Sequence, residues 1–161
     1  MSCRGVHFAL TTAQEQRLLA AFDDDSVMEV IEELDQAWDK PHLVETDKAW
    51  DAIHRCLTDG TLDAVGDGYP LSHAVLGGEQ LHRGEDYIIS YVSAEQVRDI
   101  AAALQPIDED WLRERYFALE DYDGPQDEED FDYTWSNLVS LRNFFSHASS
   151  EGRAVIFAVD Q

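Results

Sequence analysis

The residues of this chain best suited to chemistry fall on one predicted helix, which starts near Asp47. Trp50 and His54 are four apart and share a face, while Asp51 and Arg55 share the neighbouring face. An imidazole that titrates near neutral pH beside an indole can wall a small-molecule pocket. Gly77 and Gly78, followed by Glu79, would let backbone approach such a pocket closely. The pocket candidates are therefore Trp50, Asp51, His54, Gly77, Gly78 and Glu79. Packing explains the same residues without chemistry, since a tryptophan and a histidine also suit a buried helix face. A histidine in a last helical turn is further favoured by the helix dipole.

No nucleophile completes this set. The chain has no Gly-x-Ser-x-Gly elbow, no Walker loop and no Gly-x-Gly-x-x-Gly turn. Cys56 is two positions from His54 and so points to a different helix face. Metal-ligand spacing is absent as well. The six histidines (His7, His42, His54, His73, His82 and His147) form no His-x-x-x-His pair. Asp121-x-Asp123-Gly124 lacks the further ligands of a calcium loop. The sequence thus indicates no metal site and no cofactor.

A second constellation is electrostatic. Glu120 to Asp132 holds eight carboxylates and no basic residue, and reads as a solvated loop. Tyr122, Phe131, Tyr133 and Trp135 interleave with or adjoin the acids. Rings among carboxylates can anchor a basic partner while charge steers its approach. Asp127, Glu128, Glu129, Asp130, Phe131 and Tyr133 are the candidate partner-binding residues. The whole chain shares this bias, with 34 acidic residues against 11 basic ones and a net charge of −23. Such a field repels nucleic acid and anionic membranes and attracts basic proteins. It also serves solubility or salt tolerance without any partner.

Around these residues helices outnumber strands by about two to one, and the strands lie at the start, middle and end of the chain. Val6, Phe8 and Leu10 mark a strand, and Thr12 with Glu15 reads as a capping box opening a helix through Phe22. Ser26 and Glu29 repeat the device before Val27, Val30, Ile31, Leu34 and Trp38, a segment that Pro41 closes. From Gly60 to Gly84 the chain reads as loop, with a short helix around Leu71 to Leu76. Tyr87 to Val92 reads as a buried strand. Ser93 and Gln96 box the next helix, Asp108 caps another, and a long helix carries Trp135, Leu138, Leu141, Phe145 and Ala148 inward. Ala154 to Val159 is a last, fully apolar strand. The expectation is one compact α+β domain over residues 1–161, with a small, mostly antiparallel sheet of about three strands and about six helices. No apolar run approaches the roughly 20 residues needed to span a bilayer, and no basic-then-apolar leader opens the chain. A cytoplasmic location is expected. Cys3 and Cys56 are too few and too scattered for a disulfide framework.

Several stretches resemble the YfbM-like family, labelled as domain of unknown function 1877. They are Met1 to Thr12, Asp47 to His54 followed by Leu57-Thr58-Asp59-Gly60, Leu71 to Gly78, Tyr91 to Val97, and Leu141 to Phe145 with Ala148 and Gly152. Lys48-Ala49-Trp50-x-x-Ile53-His54 is the most specific piece. The resemblance implies a compact bacterial α+β domain and brings no activity with it. The function that the residues then favour is a noncatalytic acidic domain engaging a basic protein. One concrete form is an immunity-type neutraliser of a basic toxin. The competing reading is a small-molecule-binding domain or enzyme around Trp50 and His54. Nothing in the pattern fixes an oligomeric state.

Overall fold

The computed structural model describes residues 3–62 and 68–161. The middle of the Gly60 to Gly84 loop reading, residues 63–67, lies outside the described residues. Among the described residues are five strands and six α-helices. In chain order these are β1 (Gly5–Ala9), α1 (Thr12–Ala20), α2 (Asp24–Ala37), β2 (Leu43–Asp47), α3 (Trp50–Leu57), β3 (Glu79–Gln80), β4 (Tyr87–Val92), α4 (Ala94–Leu104), α5 (Glu109–Phe117), α6 (Glu128–Ser150) and β5 (Val155–Asp160). Short 3-10 turns stand at Lys40–His42 and Leu71–His73.

The strands make one antiparallel sheet in the order β2-β1-β5-β4-β3. The expected count of about three strands is corrected to five. Both additions are edge strands. β2 reads Leu-Val-Glu-Thr-Asp, without clean apolar alternation, and β3 is two exposed residues. Neither buries enough apolar surface to leave a strand-like pattern.

Helices cover both faces of the sheet, and β5 shows how. Val155, Phe157 and Val159 join the core shared with α3 to α6, whereas Ala154, Ile156 and Ala158 join the core under α1 and α2. Successive side chains of a strand point to opposite faces. A strand buried on both sides must therefore be apolar, as β5 is from Val155 to Val159 before it ends at the half-buried Asp160.

Local signals set the helix starts. The Ser93–Gln96 box of α4 stands as read, with Gln96 N–H donating to Ser93 Oγ and Ser93 N–H to Gln96 Oε1. The first box moves by one residue. Thr11 is the cap of α1 and pairs reciprocally with Gln14, because Thr11, not Thr12, keeps the extended backbone a cap needs. Asp23 caps α2 by accepting from Ser26 N–H at 2.8 Å, so Ser26 lies inside the first turn. α2 ends at Trp38 in the left-handed region (φ 43°), and the Trp38 ring packs edge-on against Phe8. The acidic loop reading is also corrected: Asp127 is the cap of α6, and Glu128 to Asp132 form its first turn. Carboxylates at a helix N-terminus are held there by the dipole.

Candidate functional site

The helix face that raised the pocket reading is turned inward. Trp50 is 7% exposed and His54 1% exposed, and both belong to the core beneath α3 to α6 or its polar lining. Trp50 Nε1 donates to the Cys3 carbonyl at 2.8 Å, which satisfies the indole within the fold. Asp51 accepts from Arg55 Nε at 2.6 Å on the same helix. Arg55 also reaches the Asp121 carbonyl and so ties α3 to the acidic segment. Gly77 and Gly78 do allow close approach, but to other backbone. A methyl group at Gly77 would sit 2.1 Å from the Ser72 carbonyl oxygen, and one at Gly78 would sit 2.4 Å from that of Tyr91. Glu79 is exposed at the sheet edge.

The six acidic-segment candidates separate into distinct roles. Asp127 accepts the Asp130 N–H at 2.8 Å as helix cap. Glu128 takes both its carboxylate oxygens to Arg113. Asp130 accepts from the hydroxyls of Tyr116 and Tyr122 through one oxygen, the Tyr122 bond being 2.7 Å long. Burial, reinforced by this shared carboxylate, pushes both phenols well above their ordinary range. Phe131 is fully buried, with the Arg113 guanidinium 4.4 Å from its ring centroid. Tyr133 is 37% exposed and donates to Asp47 at 2.7 Å. Its phenol is pushed up to about 12 by partial burial and then by that bond. Glu129 is exposed.

These residues frame a groove of about 530 Å³. Tyr122, Pro125 and Tyr133 form its apolar surfaces and Asp127, Glu129 and Asp130 its acidic ones, and Lys48 is the one basic residue among the described residues of the lining. Partly exposed rings bordered by carboxylates suit a cationic side chain, since a guanidinium or ammonium can stack on a ring and pair with an acid together.

The family model described as "Domain of unknown function (DUF1877)" matches residues 1–158. The chain belongs to the DUF1877 family. Among solved structures, this DUF1877 chain is similar to YfbM from Escherichia coli, a protein of unknown function. The two share 17% identity at a TM-score of 0.72, over 97% of this chain and 99% of that one. At this identity the likeness concerns the fold. No curated protein matches the chain.

Two further places in the DUF1877 chain carry potential sites. A groove of about 440 Å³ opens between α2 and the sheet, where Val6, Phe8, Met28, Ile31 and Trp38 share the lining with Arg4 and the carboxylates of Glu32, Asp35, Glu45 and Asp160. The second is a cluster of His42, His147 and Glu151, each offering one ligand atom within 4.8 Å of the others. Sequence spacing concealed it, because His42 lies 109 positions from Glu151. The only local signal was the four-residue step from His147 to Glu151.

Proposed function

We propose that this chain is a noncatalytic, cytoplasmic interaction domain whose acidic groove at the start of α6 receives a basic segment of a partner protein. The observation that carries the reading is the groove itself, where Tyr122 and Tyr133 stand beside Asp127 and Glu129. A net charge of −23 extends the attraction beyond the groove and favours fast, salt-sensitive association. Neutralisation of a basic toxin is one concrete form of this activity. The small-molecule reading around Trp50 and His54 has weaker support. The His54 ring is 1% exposed, and neither residue lines the grooves described above.

Fold and recognition must be tested separately, since Asp127 and Asp130 hold the start of α6 in place. Glu129 is the informative position because it is exposed and lines the groove. The experiment is titration with a fluorescent oligo-arginine peptide at low and high salt, with the contact surface mapped by amide NMR shifts. The expected result is perturbation centred on Tyr122, Glu129 and Tyr133, weakened by Glu129→Lys and by added salt. Perturbations spread evenly over the acidic surface, unchanged by Glu129→Lys, would overturn the reading.

A further inference from the structure

We propose that His42, His147 and Glu151 form a binding site for a divalent transition-metal ion of the Zn²⁺ class, with Asp39 as its supporting carboxylate. The site joins two elements distant in sequence. His42 ends the 3-10 turn Lys40–His42, where its N–H donates to the Asp39 carbonyl at 2.8 Å. His147 lies in the last turn of α6, and Glu151 is the residue that caps that helix. The two imidazoles face each other as stacked rings, with centroids 5.8 Å apart and planes inclined by 29°.

The hydrogen bonds of His42 carry the inference. Its Nδ1 lies 2.8 Å from Asp39 Oδ2 and its Nε2 lies 3.0 Å from Glu151 Oε1. Carboxylate oxygens only accept, and a neutral imidazole carries a single N–H. One neutral ring therefore meets two acceptors with a single N–H, and a metal ion on Nε2 would account for the contact that the N–H does not serve. The Asp39 contact is the arrangement that orients metal-bound histidines, with the distal nitrogen donating to a carboxylate while the other binds the ion.

Ligand spacing agrees. Glu151 Oε1 is 3.0 Å from His42 Nε2, and Oε2 is 3.6 Å from His147 Nε2. Ligand atoms about 2.0 to 2.1 Å from a tetrahedral zinc ion are separated from one another by about 3.4 Å. One ligand atom from each of the three lies within 4.8 Å of the others, so an ion would be seated by drawing them together. Arg153 Nε also touches Glu151 Oε1 at 3.0 Å, which holds the carboxylate in place with Oε2 turned towards His147. The carbonyl end of the α6 dipole adds a favourable field for a cation. Two imidazoles and one carboxylate match the nitrogen-preferring first-row ions better than Mg²⁺ or Ca²⁺, and leave a fourth position for water or another ligand.

The test uses the full chain, stripped of metal by a chelator and titrated with Zn²⁺ by calorimetry in excess Mg²⁺, which saturates carboxylate-only sites. Binding at one equivalent is expected, lost in His147→Ala and weakened roughly 10- to 100-fold in Asp39→Ala. Zn²⁺ binding that Mg²⁺ abolishes, or that survives His147→Ala unchanged, would overturn the site. A readout on the unmodified chain guards against an unfolded variant. Co²⁺ should perturb the imidazole NMR signals of His42 and His147 while sparing the other four of the six histidines. Perturbation confined to residues 120–132 would place cation binding on the acidic segment and refute the proposal.

Discussion

His7 Nε2 donates to the Ala74 carbonyl across 2.8 Å and thereby fastens strand β1 to the segment following the 3-10 turn at Leu71–His73. The ring is surrounded by Phe144, Phe145 and Phe157, the nearest centroid being 4.7 Å away. Burial pushes its pKa down to about 4, while the Ala74 bond pulls the other way.

This fixes the sign of a pH dependence. Above the ordinary histidine value of 6.5 the ring is neutral in both folded and unfolded chains. As pH falls from there towards about 4, the unfolded chain takes up a proton that the folded chain refuses, so stability is lost. The full contribution is about 3 kcal/mol. Urea denaturation across this range should show a shallower decline for His7→Leu than for the wild type. Parallel profiles would remove His7 as the cause.

Asp130 gathers the Tyr116 and Tyr122 hydroxyls on one oxygen. Asp130→Ala strands both phenols and should cost about 3 kcal/mol or more, whereas Asp130→Asn keeps an acceptor and should cost about half as much. Chemical denaturation measures both. Equal losses would mean that the hydroxyl bonds contribute little and that only the helix start matters.

The two thiols should react differently. Cys56 is buried in the core and its pKa is pushed up to about 12 by that burial, with Arg115 opposing weakly, so its reactive thiolate is scarce. Cys3 is partly exposed. Maleimide should label Cys3 alone in the native protein and both cysteines in urea, as counted by mass spectrometry. Rapid native labelling of Cys56 would reveal local opening of α3.

Legibility in the sequence followed burial. The strand β5 and the Ser93–Gln96 box were readable because each satisfies a local rule that its neighbours do not also satisfy. The Thr12–Glu15 spacing sets the cap at Thr12, and only backbone conformation identifies its neighbour Thr11 as the cap. Edge strand β2 left no pattern because one of its five residues, Thr46, is fully buried and Glu45 is exposed. Acidic composition masked the first turn of α6, since carboxylates there serve the helix as well as they would serve a loop. At the site level, Phe131 and Glu129 are two residues apart yet have opposite fates, one buried and one lining the groove. Helical phase decides this, and the phase follows from where the helix begins. Only tertiary packing brings His42 to the His147–Glu151 pair.

Strand order has a consequence for how the protein is made. β5 lies between β1 and β4, so it is the last strand in chain order and the middle one in space. While a ribosome delivers the chain from its N-terminus, the β1–β2 pair and the β3–β4 pair have no strand to join them. Each exposes an unpaired edge until residues 155–160 clear the exit tunnel. Nascent chains stalled before that point would expose apolar strand edges for chaperones to cover. Completion of the sheet therefore waits until residues 155–160 have left the ribosome, when two separate strand pairs become one sheet.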